Sequence, residues 1–300
     1  MKAIISGIKR METHDGDGIR TTVFFKGCPL KCVWCHNPES ISFSPQLAFF
    51  EHKCLKCSEC VKVCPNGAIS FTENNIKNDY SKCVKCYKCA DVCPVDARIV
   101  FGKEYSVEQL VAELVEDKAF FDFSGGGVTF SGGECLSQYE FVLETVKQLN
   151  KKGVKVNIDT CGYAKREILE SIAPYVDVFL YDIKAIDNDL HKSLTGKSNE
   201  IILENIKYLT DNGYKVEVRF PLVQGVNDNQ TKKIGTFLSQ LKNVPTIKVL
   251  QYHKFSQSRY VALNMAITLP NVETTNQDVE TAVNTLKEFN LRVINGITGN

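Results

Sequence analysis

FFKGCPLKCVWCHNPES, residues 24–40, decides how this 300-residue chain is read. Cys28, Cys32 and Cys35 stand in it at the spacing C-x3-C-x2-C, which offers three thiolates to one metal centre from a single short loop. Three ligands on a cubane of four irons leave one iron open to a small molecule. Catalytic metal sites keep such a position free, whereas structural sites usually close it. A zinc ion held by the three cysteines and His36 is the other reading of the loop. Zinc sites favour paired C-x2-C or C-x2-H units, and the C-x3-C opening departs from that.

A second cysteine block is longer. Cys54, Cys57, Cys60 and Cys64 read C-x2-C-x2-C-x3-C-P, closed by Pro65; Cys83, Cys86, Cys89 and Cys93 repeat the pattern, closed by Pro94. This is the run of bacterial two-cluster ferredoxins, in which the fourth cysteine of each motif ligates the other cluster. The expected ligand sets are Cys54, Cys57, Cys60 and Cys93 for one [4Fe–4S] cluster, and Cys64, Cys83, Cys86 and Cys89 for the other. A pair of structural zinc sites is the plainer alternative. Ala68-Ile69 and Ala97-Arg98-Ile99 follow the two motifs at matching offsets, so the repeat runs beyond the cysteines. Eleven of the thirteen cysteines thus fall to three [4Fe–4S] clusters. Cys135 and Cys161 remain, expected as small buried hydrophobes.

The wider stretch HDGDGIRTTVFFKGCPLKCVWCHNPES, residues 14–40, resembles the radical S-adenosylmethionine (SAM) enzymes and, more narrowly, the activating enzymes of glycyl radical enzymes. One departure shows: Asp17 stands where the family usually has proline (DGPGIRT), which removes a fixed φ from the loop. The resemblance implies that the open iron chelates the amino and carboxylate groups of SAM, with Trp34 against the adenine and Cys35 and His36 beside it. SGGGVTFSGGE, VNIDTCGY and FLYDIKAID resemble the activators that carry a ferredoxin insert. These serve dehydratases, lyases and decarboxylases, and the likeness is greatest to activators of trans-4-hydroxyproline dehydratases.

Composition narrows the setting. Thirty-six basic and 35 acidic side chains leave a net charge of +1, which makes no electrostatic case for nucleic acid or membrane surfaces as partners. The sequence has no apolar run of about 18 residues or more and no basic-plus-apolar leader. A soluble cytoplasmic protein is expected, its cysteines reduced and on metal. Exposed cubanes oxidise readily, which points to an anaerobic organism or compartment.

Organisation follows from periodicity. Residues 1–50 carry a strand at 20–25 and the cysteine loop, and 51–98 hold too little aliphatic material for a core without metal. Ser106 and Gln109 form a capping box opening a helix with Val107, Leu110, Val111, Leu114 and Val115 on one face. Strands are expected at 128–130, 155–159, 176–181, 215–220 and 246–251. Helices fall between them near 165–172, 199–211 and 231–241. One further helix carries Tyr139, Val142, Leu143, Val146 and Leu149, and the closing one Val279, Ala282, Val283, Leu286 and Phe289. About six β-α pairs are too few for a closed eight-unit barrel. A partial (β/α)6 TIM-type barrel over 1–50 and 99–300, with a ferredoxin-like two-cluster insert at 51–98, is the expected architecture, and the resemblance implies the same barrel. Function should gather at the C-terminal strand ends.

Polar and glycine-rich residues end those strands. Ser131-Gly132-Gly133-Glu134 offers close backbone approach and a carboxylate for an ammonium, although an ordinary tight turn reads the same. Asp182 and Lys184 flank Ile183 and share one side of their strand. A surface ion pair is the bland account of each such group; three consecutive strands ending this way argue for a site. The resemblance assigns Gly132, Gly133 and Glu134 to the SAM amino group. The ammonium of Lys184 suits the SAM carboxylate or ribose, and the resemblance gives Asp159, Thr160 and Asp182 to a monovalent cation (Na+ or K+). It puts Ile183, Arg219 and His253 near SAM or the substrate peptide. HKSLTG, 191–196, reads as helix-turn geometry without a chemical role.

The implied reaction is radical. The reduced cluster passes one electron to SAM, giving methionine and a 5′-deoxyadenosyl radical, which takes a hydrogen from the Cα of a glycine in a partner glycyl radical enzyme. An external donor such as flavodoxin or ferredoxin would feed the two further clusters, which relay electrons or are purely structural. Two other classes stay open on the sequence: a radical SAM enzyme acting on a small molecule or peptide, and an electron carrier whose first cluster is closed by His36.

Overall fold

Alternation of apolar and polar residues along the strands, with helical periodicity between them, folds into a sheet wrapped by helices. The computed structural model describes residues 1–299. Its strands are β1 (Lys2–Glu12), β2 (Arg20–Phe25), β3 (Gln46–Phe49), β4 (Ile69–Thr72), β5 (Asn75–Asn78), β6 (Arg98–Phe101), β7 (Lys103–Ser106), β8 (Gly127–Gly132), β9 (Lys155–Thr160), β10 (Val178–Asp182), β11 (Val216–Leu222), β12 (Thr246–Gln251) and β13 (Val293–Asn295). Nine of them form one sheet in the order β13-β12-β11-β10-β9-β8-β2-β1-β7. From β2 to β13 every pairing is parallel, and six helical crossovers join these seven strands in chain order. β1 and β7 extend the sheet antiparallel at one edge, so it stays open rather than closing into a ring.

Most expected elements stand within two residues of their sequence positions. The helix Val107–Val115 opens on the full capping box of Ser106 and Gln109 and buries Val107, Leu110, Val111 and Leu114. In Tyr139–Lys151 the buried face is Phe141, Val142, Thr145, Val146 and Leu149; Tyr139 and Leu143 sit half-buried on its flank. Phe289 lies beyond the closing helix Asn276–Lys287, its ring 2.4 Å from where a Cβ on Gly235 would stand, so only glycine lets the two segments meet. β1, β7, β13 and the helix Gln257–Ala262 had no counterpart in the sequence reading.

The sheet has two unlike faces. Its outer residues, among them Val23, Phe25, Val128, Phe130, Val156, Ile158 and Phe179, pack with the helices into one continuous core. The inner face carries buried polar groups that bond one another. Arg20 donates through Nε to Thr129 Oγ1 at 2.7 Å and through Nη2 to the Val128 carbonyl at 2.6 Å. Burial lowers this guanidinium to about 10, with Asp177, Asp17 and Asp15 pulling the other way.

β3 and β6 pair antiparallel, Gln46 opposite Phe101 and Phe49 opposite Arg98, and make a stem from which 50–97 project. The stem strands begin before and end after the 51–98 boundary read from the cysteines. The projecting segment holds the β4–β5 hairpin and the short helices Glu59–Val63 and Lys88–Asp91. Its buried cluster is Cys60, Ile69, Ile76 and Cys89. Two of those four are thiols, so the segment has little apolar material with which to hold itself folded.

Phe130 is fully buried and meets Phe25 edge-on at 5.6 Å between ring centres. Phe130→Ala should cost about 3–5 kcal/mol of stability, read as a lower urea midpoint at unchanged slope under anaerobic conditions.

Candidate active site

The cysteine loop leaves the end of β2 and returns to it. The Gly27 N–H donates to the Ser40 carbonyl at 2.8 Å and the Cys28 N–H to Ile41 at 3.1 Å, which pinches residues 28–40 into a closed loop. Gly27 has φ +97° with the Phe43 ring lying where a Cβ would be, so no other residue fits. The loop's outer edge rests on the end of the helix Asn188–Thr195. The Lys31 and Val33 N–H groups donate to the Thr195 and Leu194 carbonyls at 2.8 and 3.0 Å, filling acceptors that a helix terminus leaves free. The HKSLTG stretch therefore buttresses the loop.

Cys28, Cys32 and Cys35 open onto one cavity of about 540 Å³ at the C-terminal ends of the parallel strands. The same cavity is lined by Trp34, His36, Gly132, Gly133, Asp159, Thr160, Asp182, Lys184, Arg219 and His253. Two expected residues are elsewhere. Ile183 points into the hydrophobic core, because strand alternation turns it away from Asp182 and Lys184. Glu134 does not line the cavity. Its buried carboxylate accepts from Thr160 Oγ1 at 2.8 and 2.9 Å and from the Cys161 and Leu136 N–H groups at 2.8 and 3.0 Å, so its partners are the protein's own donors. The Thr160 hydroxyl, expected at a cation, lines the cavity, donates its proton to Glu134 and accepts from the Gly162 N–H at 2.9 Å.

The two glycines before Glu134 also have a nearer task than ligand approach. A Cβ on Gly132 would stand 2.1 Å from the Phe25 nitrogen, and one on Gly133 2.4 Å from the Ser40 carbonyl and 2.5 Å from that of Gly27. They let the end of β8 press on the base of the cysteine loop. The Glu134 N–H then donates to the Gly27 carbonyl at 2.8 Å.

The cavity's charges are paired. Lys184 Nζ lies 2.6 Å from Asp182 Oδ2, and both sit beside the thiols. Burial works against the ammonium, but Asp182 outweighs it and holds Lys184 charged. Arg219 donates to the His14 carbonyl at 3.0 Å and lies 3.3 Å from Asp15 and 3.6 Å from Asp159, while Ser131 Oγ donates to Asp159 at 2.6 Å. Burial nevertheless pushes the Asp159 carboxyl up to about 7. His36 stacks on His253 at 4.1 Å, is pushed down to about 4 by burial, and has Nε2 without a partner. Trp34 packs with Leu194, Val223 and Tyr252.

The thiols suit iron. Burial pushes Cys32 and Cys35 up to about 12, so they keep their protons until a metal takes the proton's place. Cys28 is drawn down by a hydrogen bond with Cys161, which also lines the cavity; Cys135 is buried outside it. His14, Asp15, Lys248 and Tyr252 are lining residues that the sequence reading did not assign. For His14 and Asp15 the signal was the pair of glycines, Gly16 and Gly18, at positive φ beside them.

In the projecting segment one hollow is lined by Cys54, Cys57, Cys60 and Cys93, and a second by Cys64, Cys83, Cys86 and Cys89. Each hollow draws three thiols from one motif and one from the other. Cys57 and Cys86, at matching places in the two motifs, are exposed.

Glu134→Ala would orphan a buried hydroxyl and two buried N–H groups at the junction of β8 and β9. At about 1–3 kcal/mol for each unsatisfied donor, it should lower stability by at least about 3 kcal/mol in urea unfolding. Glu134→Gln, which keeps one acceptor, should lose less.

Comparison with known proteins agrees with this geometry. The sequence pattern of the radical SAM superfamily matches residues 22–238. The chain is 48% identical over 265 residues to the trans-4-hydroxy-L-proline dehydratase activating enzyme of Clostridioides difficile, covering 87% of each protein. It is 40% identical over 270 residues to the choline trimethylamine-lyase activating enzyme of Oleidesulfovibrio alaskensis, again covering 87% of each. The fold is similar to that of a radical SAM methyltransferase from Sphaerobacter thermophilus, with a TM-score of 0.56 at 14% identity, over 97% of this chain and 76% of that one. The chain belongs to the radical SAM superfamily and, within it, to the activating enzymes of glycyl radical enzymes.

Proposed function

We propose that this protein installs the radical of a glycyl radical enzyme, with Cys28, Cys32 and Cys35 holding the cluster that acts on SAM. The observation that carries the reading is the convergence on one cavity of those thiols with the buried, charged Lys184, the Gly132-Gly133 backbone and Arg219. When bound, the cluster and SAM supply a one-electron cleavage of the sulfonium, and the 5′-deoxyadenosyl fragment removes hydrogen from a glycine Cα of the partner.

The chain's own groups bind and orient. Lys184 carries the positive charge for the SAM carboxylate. Trp34, fixed by Leu194 and Tyr252, offers an apolar wall to the adenine, with His36 and His253 stacked beside it. Asp159 and Asp182 supply the negative charge that suits the sulfonium and a monovalent cation, Na+ or K+. Thr160 braces that strand end through Glu134. His14 and Asp15, tied to Arg219, form the wall that a glycine loop would pass.

The reading extends to the projecting segment as a ferredoxin-like insert. Its two sets of four cysteines would hold the second and third [4Fe–4S] clusters, taking electrons from a donor such as flavodoxin or ferredoxin. The exposed Cys57 and Cys86 give both clusters a face to solvent, as electron uptake requires. The partner proposed is a trans-4-hydroxy-L-proline dehydratase or a related dehydratase, lyase or decarboxylase, on the strength of the relatives. Among the described residues no helix is long and apolar enough to cross a membrane. The proposed setting is an anaerobic cytoplasm, since open cubanes need reducing conditions.

Anaerobic reconstitution should yield roughly twelve irons per chain. With dithionite and SAM it should give 5′-deoxyadenosine, abolished in Cys32→Ala. Adding trans-4-hydroxy-L-proline dehydratase should produce a glycyl radical signal by EPR, and choline trimethylamine-lyase much less. Iron-replete wild type that leaves SAM intact would refute the activity; an equal signal from both partners would refute the partner assignment. Lys184→Met should weaken SAM binding in equilibrium dialysis by roughly tenfold, the worth of one charge-assisted hydrogen bond.

A further inference from the structure

Beyond His253 the chain forms a strap, residues 254–268, that lies across the cysteine loop. Ser256 Oγ and Tyr260 Oη both donate to the carbonyl of Cys35, each at 3.2 Å. Both side chains are almost fully buried, at 0% and 2% exposure, so these are built contacts. Arg259 Nη1 lies 2.6 Å from Glu39 Oε1 and 3.5 Å from Asn37 Oδ1, and Thr268 Oγ1 donates to the Val33 carbonyl at 3.0 Å. Glu39 is buried with Oε2 unpartnered, which leaves Arg259 as the cation that holds its carboxylate.

The strap has a second attachment. Ala262, Leu263 and Met265 pack with Ala48, Phe50, Ile99 and Phe101, at and beside the β3–β6 stem that carries the cysteine-rich segment. A buried lysine closes the circuit: Lys26 Nζ donates to the Glu39 carbonyl at 2.5 Å and to Gln46 Oε1 at 2.9 Å, joining the cysteine loop to β3. Loop, strap and stem are thus bonded pairwise.

We infer that Ser256, Arg259 and Tyr260 are positioning residues that hold the Cys35 end of the loop against the stem and ease reduction of the cluster bound there. The inference rests on the reading that Cys28, Cys32 and Cys35 ligate that cluster. The physical reason is the carbonyl dipole. The negative end of the Cys35 peptide lies next to the ligand sulfur, and an electron added to the cluster is repelled by it. Two O–H donors on that oxygen, with a guanidinium nearby, offset the repulsion; hydrogen bonding around a cluster is a recognised control of its potential.

Tyr260→Phe and Ser256→Ala each remove one hydroxyl and little else, so the pair, singly and combined, is the test in reconstituted holoprotein. Iron content should stay at the wild-type value. The midpoint potential of the SAM-binding cluster, followed by EPR, should move to more negative values, furthest in the double variant, with a changed line shape. The kcat for SAM cleavage should fall several-fold at unchanged KM for SAM. Arg259→Lys should keep a potential closer to wild type than Arg259→Ala. Wild-type potential and line shape in the double variant would overturn the inference; if that variant holds less iron, the same result in the two single variants would do so. Cys35→Ala provides the separate check on the underlying reading. Retention of a SAM-cleaving cluster there would remove the ligand assignment and the inference with it.

Discussion

Everything at the catalytic end hangs on the backbone pinch between Gly27 and Ser40. A loop carrying three thiols pays conformational entropy for every residue it orders, and this one is closed at its neck by backbone hydrogen bonds alone. Gly27 donates to Ser40, Cys28 to Ile41, and the Gly27 carbonyl accepts from Glu134. The neck becomes one layer with the end of β8, which comes close enough only because residues 132 and 133 lack side chains. The Gly-Gly-Glu sequence is therefore a joint between strand end and cysteine loop first, and a cavity wall second. Glu134 carries the joint one strand further, to Thr160 and Cys161.

That joint explains why the site sits where it does. Parallel strands end together at one edge of the sheet, and the polar inner face delivers Asp182 opposite Arg219, with Asp159 opposite Leu180 two residues before Asp182. Side chains so deeply buried are costly unless paired. Their pairing with Lys184, Ser131 and Asp15 keeps them in place without a ligand.

Which thiols share a hollow was legible because cysteines a few residues apart on one loop cannot part far, a pattern that no packing partner can disguise. Strand ends were legible for a similar reason, since β-α alternation places them whatever the details of packing. What escaped depended on partners distant in sequence. Ser256 and Tyr260 meet Cys35 across more than 200 positions, and nothing in their neighbourhood announces it. β1 is a mixed run of apolar and charged residues that becomes a strand by pairing with β2 and β7. The direction taken by Glu134 was decided by donors on β9. Ile183 is different: the alternation that put Asp182 and Lys184 together already turned it inward, and only the family likeness drew it into the site.

The cavity's electrostatics fit the cofactor that the family uses. Three carboxylates, Asp15, Asp159 and Asp182, face three fixed cations, Lys184, Arg219 and Lys248, and the first two of these are paired inside the cavity. Asp159 bears the cost of burial, its carboxyl pushed up to about 7 by desolvation and then by Asp182 and Asp15, against the pull of Arg219. A carboxyl raised above its unfolded value keeps its proton below the folded pKa, and ionising it at higher pH costs stability. SAM, with its carboxylate, ammonium and sulfonium, carries one net positive charge, and a neighbouring positive charge favours the ionised form of a carboxyl. A cation placed beside Asp159 would offset that cost, so the burial that raises this carboxyl also suits its end of the cavity to a positively charged ligand.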